Sequence, residues 1–355
     1  MTNAAMAVDL INDVLSSDSL TTMLSNMTQP PNTTSNPTFC TLTQSHLMAA
    51  YIVNLIASCL SVIGSAAIIL NYFLFLSQTK RNQVLYRLIL FLSIADFFGS
   101  LSICISQSVL LMSYKQSGSF CVLIRASINY FFLSSFVWMS CIAFHAYWSS
   151  RQRSQTPLFV FHVLSWGLPT VMTIAMLWQH AIVQEQNANY CHLEAKSKWI
   201  YWYGPLMLTF VWNIVLYAMI LWKYRHSVRP MSPDYLSSGS INTQHSVSTH
   251  FVNERKKKMH GKVARQLGIY LMAFIICWLP DLIDGFVPIS ERFCRFYWLW
   301  LVQNFTTPLQ GFLNFIVYGV ASRMFLRCKR KEPLDLRSLN EKRQQKISIL
   351  RGVVE

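Results

Sequence analysis

Apolar residues fall in seven long runs along this chain, 49–76, 85–112, 120–149, 158–178, 199–222, 266–288 and 296–321, separated by polar segments. Each run supplies the twenty or so residues that a bilayer-spanning helix needs. Inside hydrocarbon a backbone must satisfy its own hydrogen bonds. Long runs without strict alternation therefore predict helices rather than barrel strands. The expected fold is an all-α membrane protein, a seven-transmembrane helix bundle over 49–321. Segment 1–48 precedes it, and a tail over 322–355 follows it. The polar loop 226–261 carries Pro230, Pro233, Gly239 and many serines and threonines, so it is expected to be disordered and open to phosphorylation. A composition of 53% hydrophobic and 13% charged residues excludes a soluble enzyme of this length.

Basic residues set the orientation, because Lys and Arg accumulate in the loops on the cytoplasmic side. No Lys or Arg precedes the first run, and of the 30 in the chain all but Lys115, Arg125, Lys196, Lys198, Arg292 and Arg295 fall on alternate loops. The reading is an N-terminus outside and a cytosolic C-terminus. The net charge of +15 lies in these juxtamembrane clusters. It suits membrane lipid headgroups or an acidic protein partner, and no nucleic acid is expected. Residues 1–38 lack a basic n-region and an apolar core, so the first span is expected to act as a signal anchor. Two glycosylation triplets, at Asn26 and Asn32, fall on the outer side.

Four cysteines lie outside on this topology: Cys40, Cys121, Cys191 and Cys294. An oxidising compartment allows bridges among them, including a second one between Cys40 and Cys294, and sequence alone leaves the connectivity open. Cys59, Cys104, Cys141 and Cys277 sit within spans as small packing residues. Cys328, in a basic segment after the last span, is a palmitoylation candidate or a plain surface thiol.

The segments 90–96 (LFLSIAD), 134–138 (SSFVW), 161–169 (FHVLSWGLP), 191–196 (CHLEAK) and 308–314 (PLQGFLN) resemble the cyclic-AMP-receptor-like group of G-protein-coupled receptors and its animal orphan relatives. The resemblance covers nearly all of 40–330. It implies a Cys121–Cys191 bridge, an extracellular ligand and a heterotrimeric G protein as partner, with arrestin and a receptor kinase as further candidates. It also implies a G-protein contact surface at Arg151, Arg153, Arg255, Lys256, Lys257, Lys258 and Lys262. The chain departs from the rhodopsin-like pattern at His145–Trp148, where Asp-Arg-Tyr would stand, and at Asn314–Tyr318, which lacks the usual proline.

An ionisable group within a span is a functional candidate by default. Asp96 lies near mid-span in the second run, and Thr307, Gln310, Gly311 and Asn314 recur at about one-turn spacing in the seventh. With Pro280, a kink point in the sixth run, these residues are expected to form an activation network; the alternative is a fixed hydrogen-bond cluster. Toward the outer face, Arg125, Asn129, Trp278, Asp281, Asp284 and Gln303 are ligand-binding candidates. The carboxylates suit a cationic ligand and Arg125 suits a phosphate or carboxylate, unless Arg125 pairs with one Asp and cancels both. A retinal protein is excluded, because no lysine lies between Lys262 and Lys329. The remaining alternative is a polytopic transporter, although no paired repeats or clustered mid-span histidines and carboxylates are visible. No cofactor, metal site or catalytic residue is expected.

Overall fold

The computed structural model describes residues 44–112, 116, 118–150, 158–184, 190–227, 265, 267–287 and 295–320. Among the described residues, six helices are each long and apolar enough to cross a bilayer: α1 Gln44–Phe75, α2 Val84–Leu111, α3 Gly118–Ser149, α4 Leu158–Trp178, α5 Ala195–Lys223 and α6 Leu267–Phe286. The seventh, α7, is expected as one continuous span and is instead divided. Helix Tyr297–Thr306 meets a 3-10 turn at Thr307–Leu309, and helix resumes over 310–320. Pro308 is the cause, since it has no N–H to donate and its ring crowds the carbonyl one turn back. α1 and α5 also begin earlier than their apolar runs, at Gln44 and Ala195, because helix continues past the hydrocarbon-matched stretch into polar residues.

Two other prolines leave a related mark. Pro169 follows a π-helical turn at Val163–Gly167, and Pro205 follows one at Trp199–Tyr203. A widened turn relieves the contact between each ring and the preceding carbonyls. Pro280 differs, because α6 runs through it without a change of helix type. α4 ends in a Schellman arrangement. Ala181 N–H donates to the Met176 carbonyl at 3.1 Å and His180 N–H to that of Leu177 at 3.1 Å, with His180 at φ 50° where glycine is usual.

The burial pattern is that of a membrane bundle. Large apolar side chains such as Phe159 (76% exposed), Val171, Leu208 and Trp178 cover the outside. Asp96, Asn129, Ser135, Gln310 and Asn314 are enclosed. α1 and α7 approach closely at two glycines. A Cβ on Gly64 would lie 2.8 Å from Phe312 Cα, and one on Gly311 would lie 2.1 Å from Ser65 Oγ. Such close backbone approach is how membrane helices gain packing energy without a hydrophobic drive between them. Cys59 and Cys104 touch across α1 and α2, with sulfurs 3.4 Å apart, and Cys141 meets Ser165 at 3.6 Å, in keeping with packing roles.

Asn26, Asn32, Cys40, Arg151, Arg153, Arg255, Lys256, Lys257, Lys258, Lys262, Cys294 and Cys328 lie outside the described residues.

Candidate functional site

One end of the bundle holds a cavity of about 720 Å³, walled by α1, α2, α3, α5, α6 and α7. Its roof is the segment between α4 and α5, where β1 Ile182–Val183 pairs antiparallel with β2 His192–Leu193. Cys191 precedes β2 and is bonded to Cys121 in the first turn of α3, as the family resemblance implies. The bridge fixes this hairpin over the cavity, and both cysteines line it together with His192 and Leu193.

One turn below Cys121, Arg125 faces the cavity. Its guanidinium carbon sits 5.7 Å from the centroid of Trp202, a residue of the π turn in α5. The indole N–H of Trp202 donates to Asp281 Oδ2 at 2.7 Å. The ring thus takes the cation on its face and the anion at its edge. Asp284, three residues on in α6, accepts from Gln303 Nε2 at 3.1 Å. Arg125 forms no direct hydrogen bond or ion pair with either carboxylate, and its Nε is buried without a hydrogen-bond partner among the described residues. Of the six ligand candidates, the cavity brings together Arg125, Asp281, Asp284 and Gln303. Asn129 and Trp278 are fully buried and do not reach its wall.

Trp278 lies under the floor instead. It packs nearly edge-on against Phe132 (centroids 5.2 Å) and Phe136 (4.6 Å), and 5.7 Å from Trp202. Phe132 and Trp202 line the cavity above it. Edge-to-face contacts of this kind add about 0.5–1.5 kcal/mol each beyond area burial. The same indole donates its N–H to Gln310 Oε1.

From Gln310 a chain of hydrogen bonds continues in one direction. An indole can only donate, so the amide oxygen of Gln310 faces Trp278 and its NH₂ faces Ser135, at 2.7 Å. Ser135 accepts that bond and gives its own proton to Asp96 Oδ1 at 2.6 Å. Asn314 Nδ2 donates to Asp96 Oδ2 at 2.8 Å. Five buried side chains from α2, α3, α6 and α7 therefore join in one cluster around the Asp96 carboxylate, and both groups bonded to it are neutral.

The expected network of Asp96, Gln310 and Asn314 is thus joined in space, while two of its other members sit elsewhere. Thr307 lines the cavity, on the same helical face as Trp300, Gln303 and Asn304. Pro280 is half-buried two residues beyond Trp278 and has no N–H to contribute. Ser135, Trp202, Ser61 and Ser100 were not expected in the site. A serine on an apolar helix carries no periodic signal, so Ser61 and Ser100 are not marked, and Ser135 is marked only as part of the 134–138 segment that carries the family resemblance. Ser61 and Ser100 serve the break in α7. The N–H of Gly311 donates to Ser61 Oγ at 3.0 Å, and the hydroxyl of Ser100 lies 2.9 Å from Ser61 Oγ and 3.3 Å from the Pro308 carbonyl. One turn past Asn314, Tyr318 Oη donates to Asn71 Oδ1 at 2.8 Å.

Comparison with known proteins agrees with this architecture. The family model described as 7 transmembrane receptor (Secretin family) matches residues 44–279. Cyclic AMP receptor-like protein C of Dictyostelium discoideum is 31% identical over 250 residues, which are 67% of this chain and 64% of that protein. Cyclic AMP receptor-like protein B of the same organism is 27% identical over 259 residues, 71% of this chain and 54% of that protein. Human G-protein coupled receptor 157 is 29% identical over 180 residues, 47% of this chain and 52% of that protein. The chain spans a little over half to just under two thirds of the length of these curated relatives. On the family match over most of its helical segment, this multi-pass membrane protein belongs to the secretin family of seven-transmembrane receptors.

Proposed function

We propose that the chain is a G-protein-coupled receptor of the plasma membrane, with no catalytic site of its own. It takes an extracellular small molecule into the 720 Å³ cavity and signals to a heterotrimeric G protein at the opposite end of the bundle. The distribution of Lys and Arg supports a cavity mouth facing outward and an N-terminus outside. The observation that carries the reading is the double role of Trp278. Its ring packs beneath the cavity lining, and its N–H begins the buried chain that runs through Gln310 and Ser135 to Asp96. A ligand that displaces Phe132 or Trp202 acts on that chain without touching it. Only a difference in ligand affinity between two arrangements can drive the shift.

The G protein would dock beside Arg151, Arg153 and the basic cluster Arg255–Lys258, with Lys262. The relatives are receptors, and the transporter reading finds no support among them. The test is a panel of α-subunit dissociation sensors in cells expressing the chain, with an alanine variant of Arg255–Lys258 as control. Release of one α subunit above mock, falling in the variant, is expected. Silence with every α subunit despite surface expression would overturn the reading.

A further inference from the structure

We infer that the cavity recognises an organic oxyanion, a carboxylate or phosphate carried on a flat ring, through Arg125. The inference rests on the cavity being the ligand site proposed above and adds the chemistry of the ligand. A guanidinium offers five N–H donors, and the Nε–H of Arg125 is buried with no hydrogen-bond acceptor among the described residues. Its guanidinium carbon lies 5.7 Å from the centroid of the Trp202 ring. Such a contact offsets part of the charge and leaves the donors in the guanidinium plane unused. Each nearby carboxylate takes a neutral donor on one oxygen, Asp281 Oδ2 from Trp202 and Asp284 Oδ2 from Gln303. Asp281 is the nearest opposing charge to act on Arg125, and both meet the Trp202 side chain, the cation at its ring and the carboxylate at its indole N–H.

A planar fork of donors on a cavity wall fits an oxyanion in bidentate fashion, which no other side chain does as well. The gain is larger where water is excluded, because the ion pair forms in a medium of low polarity. The aromatic residues Tyr51, Trp199 and Trp300 line the same space. They would hold a ring while the oxyanion meets Arg125. A cavity of about 720 Å³ is of the size that encloses a small organic molecule.

The experiment uses the full chain purified in lipid nanodiscs. Thermal unfolding is followed by tryptophan fluorescence at fixed ionic strength, against rising benzoate, phenyl phosphate, benzylamine or benzyl alcohol. Benzoate, phenyl phosphate or both should raise the midpoint by several degrees, growing with the logarithm of concentration. Which of the two acts more strongly separates a carboxylate from a phosphate ligand. Arg125→Gln should abolish the shift, and Arg125→Lys should keep only part of it. If Arg125→Gln does not fold, Asp281→Asn provides the second test. It removes the opposing charge, and its midpoint should respond at several-fold lower anion concentration.

Stabilisation by benzylamine in preference to the anions, no shift with any probe, or a benzoate shift that survives in Arg125→Gln or is unchanged in Asp281→Asn would overturn the inference. The readout involves no G protein. A chain that binds the anions and never activates an α subunit keeps this inference and loses the receptor reading, and the converse result separates them equally well.

Discussion

Ser135 stands between an amide that needs an acceptor and a carboxylate that needs a donor, and one hydroxyl serves both. Ser135→Ala would orphan Gln310 Nε2 and Asp96 Oδ1 together. At roughly 1–3 kcal/mol for each buried group left unpaired, the loss is about 2–6 kcal/mol. The purified receptor should unfold several degrees lower. Ser134 is the internal control. It is equally buried, on the same helix, and its hydroxyl has no hydrogen-bond partner among the described residues. Ser134→Ala should fall within about 1 kcal/mol of the parent, since it removes a group that gains nothing by being there. Equal loss in the two variants would show that the Asp96 cluster is not held together by Ser135. The contrast between these neighbours is invisible in the sequence, where they are adjacent serines in one apolar run. Asp96, Gln310 and Asn314 were legible, because a carboxylate and two amides are costly in hydrocarbon and mark themselves as partners for one another.

At the level of elements, α7 is where the bundle is tied together. Successive turns reach α6 through Gln303, α6 and α3 through Gln310, α2 through Asn314 and α1 through Tyr318. The break at Thr307–Leu309 sits between the cavity contacts and the buried chain, and serines of α1 and α2 satisfy the backbone groups that it frees. This location depends on the close fit at Gly311, where an added Cβ would lie 2.1 Å from Ser65 Oγ and 2.6 Å from Ser61 Oγ. Gly311→Ala should therefore destabilise by about 3 kcal/mol, the upper range for overpacking a filled interface. A Cβ added at Gly319 would meet no atom of the described residues within 4 Å, so alanine there should be tolerated or gain about 0.5–1 kcal/mol of helix propensity. Surface expression and thermal unfolding of the two variants check this, and a tolerated Gly311→Ala would mean that α1 and α7 are further apart. Three of the four intramembrane prolines, Pro169, Pro205 and Pro308, lie at irregular turns, whereas Pro280, the expected kink point, does not. They did not disclose the form, which is a π turn before Pro169 and Pro205, a 3-10 turn at Pro308 and neither at Pro280, because neighbouring helices decide how each freed carbonyl is satisfied.

Across the whole molecule, the two functional layers meet at one side chain. The cavity layer and the Asp96 layer draw on residues far apart in the chain, such as Asp96, Ser135, Trp278 and Gln310. Their spans were legible from hydropathy, because hydrocarbon tolerates little else, whereas the packing of one span against another leaves no trace in a single sequence. Trp278 shows the consequence, for as a large aromatic residue near two aspartates it reads as part of a ligand pocket, and the fold places it one layer lower. Its indole N–H ties α6 to α7 through Gln310, while its ring fits among Phe132, Phe136 and Trp202. Trp278→Phe separates the two contributions, since phenylalanine keeps an aromatic ring in the layer and has no N–H. The lost bond is worth about 1–1.5 kcal/mol. That is enough to move a two-state equilibrium by close to tenfold. With this tie between α6 and α7 lost and the Gln303–Asp284 bond kept, basal G-protein activation should rise several-fold, while benzoate stabilisation of the purified chain stays within about a degree of the parent. Gln310→Leu should raise basal output at least as far, because it removes the acceptor for Trp278 and the donor to Ser135 at once. Unchanged basal activity in both variants would make the chain from Trp278 to Asp96 a fixed brace, and would place the moving contact elsewhere along α6.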